Sequence, residues 1–570
     1  MASYISAPLS RSSPPPPPQQ PQQVLLSPPK QLEAVTKSTT CVEKTQLQNF
    51  RVTTRCADPV PPRAVHKTIL ERIFNGTSPY HNFPPAHVSK LLRNKKVKGW
   101  GSYGAVFERL IRKVKPRVIV EVGTFLGASS LHMADLTRQL GIDSVILCLD
   151  DFRGWPGFQD RFRYVGSVNG DVLLLYQFMQ NVISHNATGS VLPVPFSSAS
   201  ALEKLCEWGV LGDLIEVDAG HDFNSAWADI SRAYRILRPG GVIFGHDYFT
   251  AKDNRGVRRA VNLFAQMNGL KVQADGQHWP NHQHNNNKKK TFFRVMVRFL
   301  NSPLAYATFQ HQFPAAHQNQ PEPQVLLSPE PNEAVMKPAT RVETQTQHFR
   351  VPTRCADPVP SRVVHKTILQ RIFDGTSPYH NFPPAHVSTL LRNRKVEGWG
   401  SYGAVFEHLI RRVKPKVIIE VGTFLGASAL HMADLTRQLG IETVILCIDD
   451  FRGWPGFQER FRYLSTLNGD VMLLYQFMNN VIYHNATGSV LPLPFSTTAA
   501  LWKLCEWGVF GDLIEIDAGH DFNSAWADIN RAYRILRPGG VIFGHDYFTA
   551  KYDGGVKKAV DLFAWKNGFK

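Results

Sequence analysis

Apolar and polar positions fall in blocks along this chain, and one block frames the rest. Val118-Ile119-Val120-Glu121-Val122 is a β-branched run carrying one carboxylate, and Gly123-Thr124-Phe125-Leu126-Gly127 follows it. Such a run reads as a strand buried on both faces, as in a parallel sheet. The two glycines permit a tight strand-to-helix turn and let a ligand approach the backbone closely. Residues 128–136 then open a helix that Gly141 can cap. Its N-terminus turns free N–H groups and a positive dipole end toward whatever lies on the turn.

The same alternation continues downstream. A second strand, 145–149, ends at Asp150-Asp151, and a helix over 172–183 follows. A third strand, 191–196, contains Pro193 and Pro195, which predicts a sheet edge. After a helix at 202–208, a fourth strand, 214–217, ends at Asp218. A helix over 225–237 leads through Arg238-Pro239-Gly240-Gly241 to a fifth strand, 242–245, ending at His246-Asp247. A helix over 256–267 and the apolar Leu270-Lys271-Val272 close the pattern. Ahead of the first strand, residues 62–114 read as helical, with Ser102 as the N-cap of a segment reaching Ile111. Strands alternating with helices predict a parallel sheet with right-handed crossovers, and ligands bind beyond the carboxyl ends of such strands. Glu121, Asp150, Asp218 and Asp247 all fall at those ends. One such acid alone is as readily a helix cap; the cluster is the functional signal.

The whole pattern occurs twice, 299 residues apart: Glu121 recurs as Glu420, Gly123 as Gly422, Gly127 as Gly426, Asp150 as Asp449 and Asp218 as Asp517. Arg55-Cys56-Ala57-Asp58 returns as Arg354-Cys355-Ala356-Asp357, and Gly245-His246-Asp247-Tyr248 as Gly544-His545-Asp546-Tyr547. A unit this long is a domain rather than a solenoid repeat. The expected organisation is a disordered Pro/Gln/Ser-rich segment over 1–50, a first domain over 51–280, a linker over 281–349 with a strand-like stretch at 291–299, and a second domain over 350–570. Val24-Leu25-Leu26-Ser27-Pro28 recurs at residues 325–329, which marks it as linker of the duplicated unit.

Composition narrows the classes. The 570 residues are 43% hydrophobic, enough for packed cores, with a formal net charge of +18. That charge is diffuse, without a polybasic arm interleaved with aromatics, so nucleic acid is not an expected partner. No apolar run has the eighteen or so residues of a membrane helix, so no membrane partner is expected either. The seven cysteines form no C-x-x-C pair, which argues against zinc. With Cys148 and Cys447 inside apolar strands, they read as reduced thiols of an intracellular protein. A cytoplasmic location is expected; the Ser-rich start, acid-free before Glu33, gives an organellar transit peptide as the alternative.

With Glu121-Val122-Gly123, Asp150-Asp151, Asp218-Ala219-Gly220-His221 and Leu237-Arg238-Pro239-Gly240-Gly241 in register, the chain resembles class I S-adenosylmethionine-dependent methyltransferases. The Asp-x-x-His motif, Arg-Pro-Gly-Gly and Gly-His-Asp-Tyr bring it nearest the branch called methyltransferase family 24. The resemblance covers about 55–280 and 354–570. It implies two tandem Rossmann-like α/β domains with a mostly parallel sheet of order 3-2-1-4-5-7-6. It further implies that Glu121, Gly123 and Gly127 hold the methionine end of the cofactor, Asp150 its ribose, Ser197 its adenine with Trp155 as cover, and that Asp218 faces the reacting methyl. Glu420, Gly422, Gly426, Asp449 and Asp517 take these places in copy two. In catechol- and caffeoyl-CoA-type relatives the places of Asp218 and Asp247 bind a divalent cation, which suits Mg2+ on oxygen ligands. Asp517 and Asp546 correspond. Those relatives follow the second Asp with Asn; this chain has Tyr248. His221, His246, His520 and His545 are the candidate bases, because histidine titrates near neutrality. Glu216 shares the strand-four face with Asp218.

The expected activity is methyl transfer to a small-molecule acceptor, at oxygen. A pseudoenzyme or interaction scaffold of duplicated methyltransferase-like domains is the alternative. A nicotinamide oxidoreductase is disfavoured, since 123–127 lacks the G-x-G-x-x-G spacing. Copy two stops at Asn567-Gly568-Phe569-Lys570, matching Asn268-Gly269-Leu270-Lys271, and so lacks the last two strands. In copy one an Asp275-Gly276 turn is expected to close a last hairpin, with 291–299 as the last strand or an added one. In copy two an open edge is expected at 541–544, with 291–299 as its cover and lower stability as the consequence.

Overall fold

The computed structural model describes residues 24–26, 56–93, 104–250, 252–275, 294–298, 354–392, 396, 398 and 403–569. Copy one holds a seven-stranded sheet whose first strand, Val118–Val122, lies between Val145–Leu149 and Gly212–Val217. Val191–Val194 forms one edge, and Leu237–Gly245 continues the parallel run on the other side. Two antiparallel strands complete it, Arg294–Arg298 against the fifth strand and Lys271–Asp275 outside that. The order is therefore 3-2-1-4-5-7-6, with the proline-bearing strand at the edge as expected. The first two strands are buried throughout, as their mostly apolar runs predict, and Glu121 is buried with them.

Helices cover both faces of the sheet. Ala128–Gln139 and Leu174–Ser184 pack with Ala105–Val114 in one apolar cluster, and Pro62–Phe74, Ser198–Glu207 and Phe223–Arg235 in the other. The N-cap of Ala105–Val114 is Gly104; Ser102, the expected cap, lies outside the described residues. Asp275 is a ladder residue, paired with Arg294, rather than the first residue of the expected turn; Gly276 lies outside the described residues.

Copy two repeats the first five strands, Val417–Val421, Val444–Asp449, Val490–Pro494, Gly511–Ile516 and Leu536–Gly544. Its fifth strand is not an open edge. Val24–Leu26 pairs antiparallel with it, Val24 opposite Gly544, Leu25 opposite Phe543 and Leu26 opposite Ile542. This is the register that Val295, Met296 and Val297 hold against Gly245, Phe244 and Ile243 in copy one. Within the expected cover, Arg294–Arg298 instead supplies the seventh strand of copy one. The rest of the predicted N-terminal disordered segment, and most of the 281–349 linker, lies outside the described residues.

The copies pack about a pseudo-two-fold axis, and contacts recur in mirrored pairs, as an isologous interface demands. Arg232 binds both carboxylate oxygens of Asp521 at 2.8 Å, and Arg531 those of Asp222 at 3.0 Å. The Asn169 amide donates to the Pro378 carbonyl at 2.8 Å, and that of Asn468 to Pro79 at 2.8 Å. Helices Phe223–Arg235 and Phe522–Arg534 share one apolar cluster.

Two disulfides, Cys56–Cys206 and Cys355–Cys505, correct the expectation of reduced thiols. Each joins residues 150 apart, a separation at which sequence cannot show that two cysteines meet. Cys148 and Cys447 are free and buried as expected, and Cys41 lies outside the described residues. No helix among the described residues is long and apolar enough to cross a membrane.

Candidate functional site

The turn after the first strand is held from below. Glu121 is fully buried, and its carboxylate accepts hydrogen bonds from the Thr124 hydroxyl at 2.7 Å and from the Ser129 hydroxyl. Burial pushes its pKa up to about 7 against those hydrogen bonds, and that of Glu420 up to about 8. Gly123 has φ +87°, and a Cβ there would overlap the backbone carbonyl of Asp218. Its missing side chain thus lets the first and fourth strand ends meet. Gly127, at φ +82°, is the N-cap of Ala128–Gln139, a helix start that no side chain caps. Phe125 also sits in the left-handed region, at φ 58°, and stacks on Trp155 with centroids 6.1 Å apart. Such backbone in a non-glycine residue is costly and concentrates at functional sites.

Asp150 braces the turn from the second strand. One carboxylate oxygen accepts the Thr124 and Phe125 N–H groups at 2.9 and 2.8 Å; the other accepts Phe152 N–H at 2.7 Å. Three of its roughly four acceptor positions are thereby filled, leaving one for a ligand. Ser197 is the N-cap of Ser198–Glu207, its oxygen accepting from Ser200 N–H, and Ser496 does the same in copy two.

Across the crevice the ends of the fourth and fifth strands meet. His221 Nε2 lies 3.2 Å from Asp247 Oδ2 and 4.0 Å from Asp218 Oδ1. Ligand-type atoms of all three fall within 4.8 Å of one another. The His221 side chain is 41% exposed, so the cluster opens to solvent. Asp247 has φ 59° and accepts a hydrogen bond from the Thr250 hydroxyl, which fixes its carboxylate. Copy two reproduces the trio, with His520 Nε2 3.2 Å from Asp546 Oδ2 and 3.5 Å from Asp517 Oδ1. His246 is different. It is buried, with Nε2 3.5 Å from Glu216 Oε1 and Nδ1 3.7 Å from Asp218 Oδ2. Its counterpart His545 lies 4.0 Å from Glu515.

The comparisons bear on this arrangement. A family model described as "Methyltransferase domain", of the family 24 branch, matches residues 120–248 and again 419–547. Both copies have the Rossmann-like methyltransferase fold. The matched spans run in each methyltransferase domain from the first strand, through the braced turn, to the Gly-His-Asp-Tyr end of the fifth. Among solved structures, an O-methyltransferase from Bacillus cereus, in complex with SAH, is 20% identical and covers 41% of this chain and 91% of its own at a TM-score of 0.26. The O-methyltransferase TomG from Streptomyces achromogenes, involved in tomaymycin synthesis and solved with SAM, is 18% identical. It covers 34% of this chain and 78% of its own at a TM-score of 0.24. No curated protein matches the chain.

The structure brings Asp218, His221 and Asp247 together in copy one and Asp517, His520 and Asp546 in copy two, and sets Glu121, Gly123, Gly127 and Asp150 around the copy-one turn. The sequence reading missed the brace role of Asp150. The signal was available: an acid at the end of the second strand faces the backbone N–H groups of a glycine turn after the first.

Proposed function

We propose that each methyltransferase domain transfers the methyl group of S-adenosylmethionine to a hydroxyl oxygen of a small molecule. The observation that supports this best is the open Asp218–His221–Asp247 cluster, facing a glycine turn whose bracing acid keeps one acceptor position. Gly123 and Gly127, which shape the turn, would hold the methionine end of the cofactor, and Asp150 would accept from a ribose hydroxyl. Glu121 acts beneath, as the support of Thr124 and Ser129. Ser197 stands at the adenine end. Asp218 would line the methyl end and help position the acceptor; such positioning supplies much of the rate of methyl transfer.

His221 would take the proton of the acceptor hydroxyl, and the bound cofactor would supply the methyl group. His246, buried between Glu216 and Asp218, orients that acid and is not the base. The carboxylates of Asp218 and Asp247 would hold a divalent cation, which when bound would lower the pKa of the acceptor hydroxyl and leave His221 as the base. His520, Asp517 and Asp546 do the same in copy two.

Labelled cofactor and a metabolite extract test the proposal. Methylated product is expected from the wild type, and His221→Ala with His520→Ala should lower turnover by about a hundredfold or more. Excess chelator, then added magnesium, reads the cation separately. No product and no S-adenosylhomocysteine binding would leave the duplicated domains as a scaffold.

A further inference from the structure

Arg153 and Arg452 are buried at the pseudo-two-fold axis, each 1% exposed, and each reaches into the other copy. Arg452 pairs within its own copy with Asp470. Its Nε donates to the Asp151 carbonyl of copy one at 2.7 Å, and its Nη2 to the Phe152 carbonyl at 3.3 Å. Arg153 pairs with Asp171 and mirrors this on the carbonyls of Asp450 and Phe451, at 2.7 and 3.2 Å. Tyr176 donates to Asp470 at 3.2 Å and Tyr475 to Asp171 at 3.3 Å, so each anchoring carboxylate is itself held from across the axis.

The gripped peptides are those that set the pocket. Phe152 is left-handed, at φ 51°, and its N–H binds the Asp150 carboxylate, whose other oxygen holds Thr124 and Phe125 of the turn. A relay of hydrogen bonds therefore runs from the guanidinium of one copy, through the 151–152 carbonyls and Asp150, to the turn of the other. A buried guanidinium fork on two successive carbonyls fixes a loop that would otherwise relax out of the left-handed region.

We infer that Arg452 is a positioning residue for the cofactor pocket of copy one and Arg153 for that of copy two, so that each pocket is completed by the other copy. This rests on the reading that the braced turn takes S-adenosylmethionine. It makes the tandem chain an intramolecular dimer in which neither domain binds cofactor at full strength alone.

Calorimetry of the full chain with S-adenosylhomocysteine, together with hydrogen exchange, tests it. The wild type should bind two equivalents and protect both 118–131 and 417–430. Arg452→Lys keeps a charge beside Asp470 but loses the fork. It should weaken one site about tenfold, with protection lost at 118–131 rather than at 417–430. Arg153→Lys should do the reverse. Asn169→Gly, which loosens the same interface without touching the relay, should leave both sites intact. If the lysine variants do not fold, Asp470→Asn, near-isosteric, should weaken the copy-one site about threefold. Unchanged binding in these variants, a loss in the substituted copy, or an equal loss in Asn169→Gly would overturn the inference. A wild type that binds no S-adenosylhomocysteine would instead defeat the cofactor reading.

Discussion

Glu121 and Glu420 tie the turn to the pH of the medium. Burial holds both carboxyls well above their ordinary range, at about 7 and about 8. Burial and the neighbouring carboxylates also lift Asp151 to about 7. A carboxyl whose folded pKa is raised binds more protons in the native state, so stability falls as pH rises from its unfolded value through the folded one. Melting temperature should therefore decline between about pH 4.5 and 8, and Glu121→Gln with Glu420→Gln should flatten that decline; scans across this window check it. A wild-type melting point rising across the same range would contradict the assignment. At this scale the sequence was legible wherever a residue ends a strand. Asp218, His221 and Asp247 were foreseeable, because parallel strands deliver their last residues to one crevice. What could not be read was which acids face the ligand and which face the protein. Glu121 and Asp150 spend most of their oxygens on Thr124, Ser129 and backbone N–H groups, and only a folded turn shows that.

Elements were legible for a related reason. Buried parallel strands are apolar runs, and Pro193 marked an edge because it cannot donate to a ladder. Partners far apart in sequence carried no such signal. Cys56 and Cys206 meet because the segment before Pro62–Phe74 runs back to the end of Ser198–Glu207, where Ala57 N–H also binds the Cys206 carbonyl at 3.0 Å. Closing so long a loop is worth about 2–4 kcal/mol. Cys56→Ser should lower the melting point of copy one, with fluorescence and calorimetry agreeing, and reductant should have no further effect on that copy. The same tie at Cys355–Cys505 should respond independently, since the two disulfides lie in separate copies.

The whole molecule is a pair of near-identical halves, and its interface was invisible beforehand because near identity says nothing about contact. Arg232–Asp521 and Arg531–Asp222 show how one helix end in each copy serves the other. Burial would raise Asp222, yet the Arg531 charge and the Ser225 hydrogen bonds hold it below its ordinary range. Expressed alone, residues 350–570 lose both this interface and the strand from Val24–Leu26 that covers Leu536–Gly544. They should melt below the full chain and bind an apolar-surface dye; equal melting would show the edge to be self-sufficient.

That borrowed strand ties the front of the chain to its second copy. Val24–Leu26 lies ahead of copy one and serves copy two, so the pairing closes the polypeptide on itself. A tether holds such a strand at an effective concentration on the order of millimolar, which keeps the contact within one molecule. The same contact between molecules is head-to-tail, and a head-to-tail contact that does not close propagates. Deleting Val24–Leu26 would therefore remove both the pairing within one molecule and its head-to-tail counterpart.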